Sequence, residues 1–227
     1  MSLTRTQQVL GSIHEDALND MLRAFFSARP RYLRYGSPAF VAATSVNATQ
    51  MSAIQFPGLP GGIDWRVSFD IPTVDLFKQT RQLPPQLTLQ PGQFSLRTRV
   101  QLCVNCVRRR DDTKSHDKPN DNPKDPANKA DGETCTELEV FAIGHLDSWH
   151  NSSGEGAIRL RLDAVELVDV TPDSLESVLE CLIRMLLDAA LSQVQLPLQA
   201  LRAGAFRLIV AQGPDIEDDR LLVFGTL

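Results

Sequence analysis

The sequence lacks an excess of basic residues. Among its 227 residues, 23 Lys and Arg stand against 28 Asp and Glu, which gives a formal net charge of −5. Nucleic acids and anionic membranes attract proteins with basic surfaces, so neither is an expected partner. The first 22 residues also lack the uninterrupted apolar run of a signal peptide or a membrane span. We therefore expect a cytoplasmic protein with no integral membrane segment, whose partners are neutral or apolar.

The sequence also lacks the motifs that mark common catalytic sites. It has no GxSxG nucleophile elbow, no P-loop, no GxGxxG and no HExxH. The pair Gly154 and Gly156 lacks the third glycine of a nucleotide-binding loop and a following helix. These absences lead us to expect a protein that is not an enzyme and that carries no cofactor.

One segment has no large apolar residue. From Asp111 to Thr134 the chain consists of Lys, Asp, Asn, Pro and small or polar residues, which cannot bury enough surface to order the backbone. We predict a disordered hairpin tip at about residues 111–134 within a single domain that spans residues 1–227. A linker between two domains is the alternative interpretation.

The four cysteines leave three interpretations open. Cys103 and Cys106 form a CxxC pair, and Cys135 follows the polar segment. These three thiols could bind zinc, although the spacing matches no standard zinc pattern; Cys135 could form a disulfide with an earlier cysteine; or all three could be free. Cys181 lies among apolar residues of a predicted helix, where we expect a small buried side chain.

Apolar residues at three- and four-residue spacing predict a helix near the N-terminus. Ser12, followed three residues later by Glu15, resembles a capping box, so the firm part of this helix is predicted to run from there to Pro30. The periodic residues are Val9, Leu10, Ile13, Ala17, Leu18, Met21, Leu22, Phe25 and Phe26.

A second helix is predicted between Thr171, which can cap it, and Pro197, which should end it. Most of its circumference is apolar, so it must be covered on most sides. The narrow polar stripe consists of Asp173, Ser177, Glu180, Arg184, Asp188 and Ser192.

Between and after the helices, apolar and polar residues alternate with the period of a strand that has one exposed face. The strongest examples are residues 63–71 and 94–104, and weaker ones follow at 138–146, 158–162, 206–210 and 221–224. Gly213-Pro214 and Asp218-Asp219 predict the turn between the last two strands. The order predicts an α+β fold in which a strongly curved, mostly antiparallel sheet wraps a long amphipathic helix as a half-barrel.

This order of elements, with a long helix that runs through Leu196-Pro-Leu into "FRLIVAQGPDIEDDRLLVFGTL", resembles the tubular lipid-binding superfamily. Its members include bactericidal/permeability-increasing-like (BPI-like) proteins, synaptotagmin-like mitochondrial lipid-binding (SMP-like) domains and some bacterial toxin-cluster proteins. The resemblance implies a single module of bacterial type that holds a lipid or other apolar molecule between the helix and the sheet. The secreted members carry a signal peptide and a structural disulfide, whereas this chain shows no signal.

The predicted helices supply residues that suit the walls of such a groove. They are Leu22, Phe25, Phe26, Leu182, Met185 and Leu186. The alternative is that these residues pack directly on the sheet, which leaves a solid core and a protein-interaction or assembly module, as in toxin-accessory proteins. A homodimer is compatible with both interpretations. A metal site at Cys103, Cys106 and Cys135 is a weaker alternative.

Overall fold

The structure is a computed structural model of the chain. It describes residues 9–56, 59–76, 83–106, 133–150, 156–168, 170, 173–197, 202–203, 206–207, 209–217 and 219–226. The helices are α1 (Glu15–Ala28), α2 (Asp173–Leu191) and a short 3-10 helix (Pro30–Leu33). The strands are β1 (Val9–His14), β2 (Arg34–Gly36), β3 (Thr49–Gln50), β4 (Ile54–Phe56), β5 (Leu59–Phe69), β6 (Thr73–Leu76), β7 (Gln93–Cys106), β8 (Glu133–His150), β9 (Gly156–Leu167), β10 (Gln195–Pro197), β11 (Arg202–Ala203), β12 (Phe206–Arg207), β13 (Ile209–Glu217) and β14 (Arg220–Thr226).

The main sheet has nine strands and is strongly curved into a half-barrel, which confirms the predicted α+β class. Its order is β10-β9-β8-β7-β5-β2-β3, while β4 pairs with β5 and β6 pairs with β7. The sheet is mixed, because β2 and β3 are parallel whereas the long strands β7, β8 and β9 pair antiparallel. A second sheet has the order β1-β14-β13.

A bulge at Asp163 of β9 contributes to this curvature. The register between β8 and β9 shifts between Ile143 and Gly144, and an inserted residue bends a strand. A Cβ atom at Gly144 would lie 2.1 Å from the carbonyl oxygen of Arg161, so only glycine fits this close approach.

The N-terminal helix begins later than the sequence predicts. Residues Val9–His14 form a strand paired with β14, from Val9 opposite Gly225 to His14 opposite Arg220. The predicted capping box is wrong: the His14 side chain caps α1 by accepting a hydrogen bond from the Asp16 N–H at 3.2 Å. Glu15 instead accepts from the Leu76 N–H at 2.8 Å. Long-range strand pairing therefore overrides the local helical periodicity.

Two further predictions are also wrong: the residue at which α2 ends and the position of the last hairpin turn. Helix α2 ends at Leu191 rather than at Pro197, because the chain turns at residues 192–194 and then pairs with β9, with Pro197 opposite Ala157. Gly213-Pro214 lies inside β13, where the register with β14 shifts, and is not the hairpin turn. The turn before β14 is at Asp219, with a φ of 63°.

Both helices, the nine-stranded sheet and the β1-β14-β13 sheet contribute side chains to one hydrophobic core. Alternation places Val140 and Ala142 of β8 in this core and directs Phe141 and Ile143 to the other face. The alternating pattern predicts that this other face is exposed. Part of it is covered, because Leu83, Leu87 and Leu89 pack on it. We call the face in the main core the inner face and the other the outer face.

The predicted hairpin tip at 111–134 lies largely outside the described residues. Glu133 and Thr134 are the first two residues of β8, and β7 pairs antiparallel with β8, with Asn105 opposite Glu133. The two strands that the segment joins are therefore direct neighbours in the sheet. The order of the segment itself and the assignment of residues 1–227 to a single domain stay predictions.

Candidate functional site

The residues predicted to line a ligand groove do not all lie together. Leu22, Phe26 and Leu186 are buried in the main core, and Phe25 and Leu182 are partly buried against it. Met185 is 57% exposed and faces away from this core. The predicted set therefore includes five residues that pack between helices and sheet, and one surface residue.

A small cavity lies between α1 and the main sheet in the part of the chain that the structure describes. The described cavity there measures about 10 Å³ and is bordered by Leu18 and Met21 of α1 and by Ile158 and Leu160 of β9. Preformed sites for small molecules usually measure about 300–1,000 Å³. In this conformation the groove has the geometry of a packed core.

The polar stripe of α2 lies along the edge of the main sheet. Strand β10 pairs with β9 only at residues 157–159, so beyond them no described strand covers this edge. Three side chains of α2, Glu180, Arg184 and Asp188, take the place of a strand. Asp188 accepts a hydrogen bond from the Leu162 N–H at 3.2 Å, Arg184 donates to the Leu162 carbonyl at 3.3 Å, and Glu180 accepts from the Leu167 N–H at 3.3 Å.

The contact with β9 involves only part of the polar stripe. Glu180 and Asp188 are partly buried there, whereas Ser177 and Arg184 of the same stripe are exposed. An uncharged strip of the helix also faces solvent. It consists of Val178, Cys181, Met185 and Ala189, all exposed, and we call it the outer strip. Val178 is 65% exposed, so the two largest residues of the strip are both far from buried.

Cys181 corrects a further prediction. The sequence predicts a small buried core residue at this position, but Cys181 is a free and exposed cysteine at the middle of the outer strip. Its neighbours in the strip are Val178, three residues before it, and Met185, four residues after it. Residues at these spacings lie on one face of a helix. The outer strip is therefore a continuous apolar surface.

An acidic cluster lies beside the N-terminal half of α2. Carboxylate oxygens of Glu166, Glu176 and Glu180 lie within 4.8 Å of one another. Burial, followed by the charges of Glu180 and Glu176, raises the pKa of Glu166 above its usual value. Glu166 and Glu176 also border an open cleft of about 440 Å³ on the outer face of the sheet. Such a cluster can attract a cation, but partly exposed carboxylates are also common without one.

The cysteines of the main sheet form a disulfide. Cys103 and Cys135 are opposite each other on β7 and β8, with their Cα atoms 4.0 Å apart. Arg66 lies beside them and donates to Glu133 at 3.1 Å. Zinc binds cysteine as the thiolate, and a sulfur atom in a disulfide is not a thiolate. In this structure Cys103 and Cys135 therefore do not supply ligands for the zinc site that was one of the three interpretations of the sequence. The Cys106 side chain lies outside the described residues.

Sequence reasoning missed the outer strip for a physical reason. A narrow polar stripe indicates which residues of a helix need polar partners, but it does not say whether those partners are water or backbone. The signal that was present is the width of the apolar surface, which exceeds what one core face requires. Glu180, Arg184 and Asp188, at four-residue spacing, were the residues that could reach a sheet edge.

Comparison with protein-family models and with curated proteins finds no match to this chain. Neither described helix has the combination of length and hydropathy that crossing a membrane requires.

Proposed function

We propose that this protein is a non-enzymatic interaction module that docks an apolar protein surface on the outer strip of α2. The observation that supports the proposal is the exposure of Val178, Cys181 and Met185 on one side of α2. On the neighbouring side, Glu180 and Asp188 bind the backbone of β9. Exposed contiguous apolar surface is a common mark of protein interfaces.

A protein partner fits this surface better than a membrane does. The outer strip contains no Lys or Arg, and the chain as a whole has a net charge of −5. Anionic lipid surfaces attract basic segments, whereas an uncharged strip on an acidic protein gains nothing from them. An apolar protein surface gains from burial of Val178 and Met185 without having to neutralise any charge.

Photocrosslinking in the native host tests the proposal. A photoreactive amino acid at Met185 should crosslink to a defined protein, and the same amino acid at Val46, which is 77% exposed outside α2, should not. The captured protein must then bind the purified chain and lose that binding in Met185→Glu but not in Val46→Glu. Equal crosslinking from both positions, or none from Met185, would reject the outer strip as a docking surface.

A second proposal is that the protein holds a lipid or similar apolar molecule, as its resemblance to the tubular lipid-binding superfamily implies. In that family the long helix is clasped by a mostly antiparallel sheet. The supporting observation is the apolar lining of the narrow cavity beside Leu18, Met21 and Ile158. Because this cavity has room for only about one water molecule, a ligand would have to separate α1 from β9. Native mass spectrometry before and after denaturing extraction would reveal a co-purified ligand; an apo mass that persists after incubation with mixed lipids would reject this proposal.

The disulfide between Cys103 and Cys135 is relevant to the cellular compartment in which the protein acts. A cytoplasmic location was expected from the sequence, but disulfides persist mainly in oxidising compartments. We therefore propose that Cys103 and Cys135 are oxidised where the protein acts, outside a reducing cytosol. Alkylation of the protein in intact cells, followed by mass measurement, tests this: modification of Cys103 or Cys135 before reduction would contradict it.

A further inference from the structure

We propose that Cys135 is a modification site at which the thiolate of a small molecule opens the disulfide, and that Arg66 directs the attack to this sulfur. The thiolate forms a mixed disulfide with Cys135, the bond between Cys103 and Cys135 breaks, and its electron pair leaves on Cys103 as a thiolate. The inference rests on the oxidised state of these two cysteines and is independent of the outer strip. It depends on the access to each sulfur and on the charges beside it.

The two sulfurs of the disulfide differ in access. Cys103 is fully buried, with 0% exposure, whereas Cys135 is exposed. Both lie on the outer face of the sheet, because Cys103 is three residues from Val100 of the inner face and is opposite Cys135. The rate of exchange depends on whether the attacking thiolate can reach the sulfur. Exposure therefore favours attack on Cys135 and makes Cys103 the sulfur that departs.

Arg66 stabilises the charge that this reaction places on Cys103. It is opposite Cys103 in the pairing of β5 with β7, and its guanidinium lies 3.3 Å from the Cys103 sulfur. A positive group beside a cysteine favours the thiolate form, and a better-stabilised thiolate leaves faster. Without a positive neighbour, a thiolate in a buried position would be costly.

The guanidinium of Arg66 is held in place and has an unused donor. It pairs with Glu133 at 3.1 Å and lies over the ring of Phe40, with 5.5 Å between its central carbon and the ring centre. Its Nε atom is buried and has no hydrogen-bond partner within the described part of the chain. A buried donor without an acceptor is unfavourable, so a negative charge that forms beside this guanidinium stabilises the opened state.

Glu133 gives the disulfide a direction. A carboxylate oxygen of Glu133 lies 3.4 Å from the Cys135 sulfur. If Cys103 were attacked instead, Cys135 would depart as a thiolate beside this carboxylate, and the two like charges would repel each other. One sulfur therefore has a positive neighbour and the other a negative one. The same carboxylate repels an approaching thiolate, so it slows attack on Cys135 while it sets the direction of bond breaking.

The first test locates the adduct. The Cys106→Ser/Cys181→Ser chain, which lacks other thiols, is treated with excess reduced glutathione for short times, stopped with acid and alkylated in denaturant. Mass mapping of peptides should find glutathione on Cys135 and the alkyl group on Cys103, in at least about tenfold excess over the reverse arrangement. Equal amounts of the two products would overturn the inference. So would a folded chain that does not react under conditions in which the unfolded chain does.

The second test measures the rate of opening by glutathione in the same background. Arg66→Gln should slow it at least about threefold, whereas Arg66→Lys, which keeps a positive charge, should retain most of the rate. Arg99→Gln removes a charge from an exposed arginine of β7, four residues before Cys103, and should react like the unsubstituted background chain. Equal rates in Arg66→Gln and Arg99→Gln would also overturn the inference.

A third variant separates direction from rate. Glu133→Gln should speed the reaction, because the approaching thiolate is no longer repelled, and should lower the preference for Cys135, because a thiolate on Cys135 is no longer disfavoured. An unchanged preference in this variant would contradict the direction that Glu133 is proposed to set.

This inference and the proposed compartment fail separately. A chain that is oxidised in intact cells but gives no selective adduct on Cys135 keeps the location outside a reducing cytosol and loses the modification site. A chain that is reduced in cells, yet gives the Cys135 adduct after oxidation in the purified state, loses that location and keeps the site.

Discussion

Met185 and Leu186 are neighbours on α2, yet their surroundings are opposite. Leu186 is 2% exposed and packs in the main core, whereas Met185 is 57% exposed on the outer strip. A third side of the same helix, through Glu180 and Asp188, binds the edge of β9. The helix therefore has a core side, a sheet-edge side and a solvent side, and only the sheet-edge side is strongly polar.

The comparison teaches that apolarity alone does not separate packing from docking. Leu186 and Met185 are both large apolar residues, and the sequence predicts both as groove residues. The distinction arises because the polar side chains of α2 satisfy an open strand edge, which would otherwise invite pairing with another chain. Once Glu180 and Asp188 bind there, the rotation of the helix leaves an apolar side in solvent.

The largest expected effect is on the core side of the helix. Leu186→Ala should lower the free energy of unfolding by about 2–5 kcal/mol, because it removes buried methyl groups and leaves a cavity. Chemical denaturation measures the loss. The Tyr35 hydroxyl donates to the Leu186 carbonyl at 3.3 Å, and this backbone contact is kept in the variant. A loss below about 1 kcal/mol would mean that this side of α2 is loosely packed, as a ligand groove would be.

The next effect is on the sheet-edge side. Asp188→Ala should cost about 1–3 kcal/mol, because the Leu162 N–H loses its acceptor at 3.2 Å. Asp188→Asn keeps an acceptor oxygen in the same place and should cost clearly less. Denaturation of the two variants, with hydrogen exchange at Leu162, checks both expectations. Equal losses in Ala and Asn would point to the Asp188 charge, rather than to the hydrogen bond, as the source of stabilisation.

Much of the sheet could be predicted from the sequence, and the reason is local. The alternation at 94–104 predicts β7 to within a few residues, because burial of one face fixes a period of two along the strand. The start of α1 could not be predicted in the same way. Residues 9–14 have helical spacing but pair with β14, at the other end of the chain, and no local pattern reports such a partner.

The candidate site was predictable only in part. The wide apolar surface of α2 and its polar stripe were both visible in the sequence, including Met185. What could not be read was the rotation of the helix, since that depends on β9 having an open edge beyond residue 159. The pairing of Cys103 with Cys135 likewise depends on the register of β7 and β8.

A smaller effect, of opposite sign, is expected where α2 meets the acidic cluster. Burial and the charges of Glu180 and Glu176 raise the pKa of Glu166 in the folded state. The folded protein therefore binds a proton at Glu166 more tightly than the unfolded chain does, so protonation of Glu166 stabilises the fold below pH 4.5, the ordinary pKa of the group. This stabilisation is lost as the pH rises through the pKa of Glu166 in the folded state. At pH 7 the ionised Glu166 therefore weakens the fold.

Glu166→Gln should consequently raise the free energy of unfolding at pH 7 by roughly 0.2–1 kcal/mol, the range of partly exposed charge pairs. The gain should disappear below pH 4.5, where the natural side chain is itself protonated. Thermal unfolding at neutral and acidic pH measures the difference. A gain of the same size at both pH values would show that the carboxylate charge is not its cause.

The smallest effect is expected on the solvent side. Met185→Ala should change the free energy of unfolding of the monomer by less than about 0.5 kcal/mol, because a side chain that is 57% exposed leaves no closed cavity when it is truncated. Alanine also favours the helix slightly, which offsets the lost contacts. Denaturation at low protein concentration, beside Leu186→Ala, makes the comparison between adjacent positions.

The effect of Met185→Ala on the free energy of unfolding should be measured over a range of protein concentrations, because this shows whether the outer strip takes part in self-association. If the outer strip pairs with a second copy, Met185→Ala should become more destabilising as the protein concentration rises, because the natural chain gains stability from association and the variant gains less. Leu186→Ala should lose a similar amount of monomer stability at every concentration. A Met185→Ala effect that stays near zero throughout would leave the outer strip without a role in self-association, while an effect as large as that of Leu186→Ala in dilute solution would mean that Met185 is not on the surface.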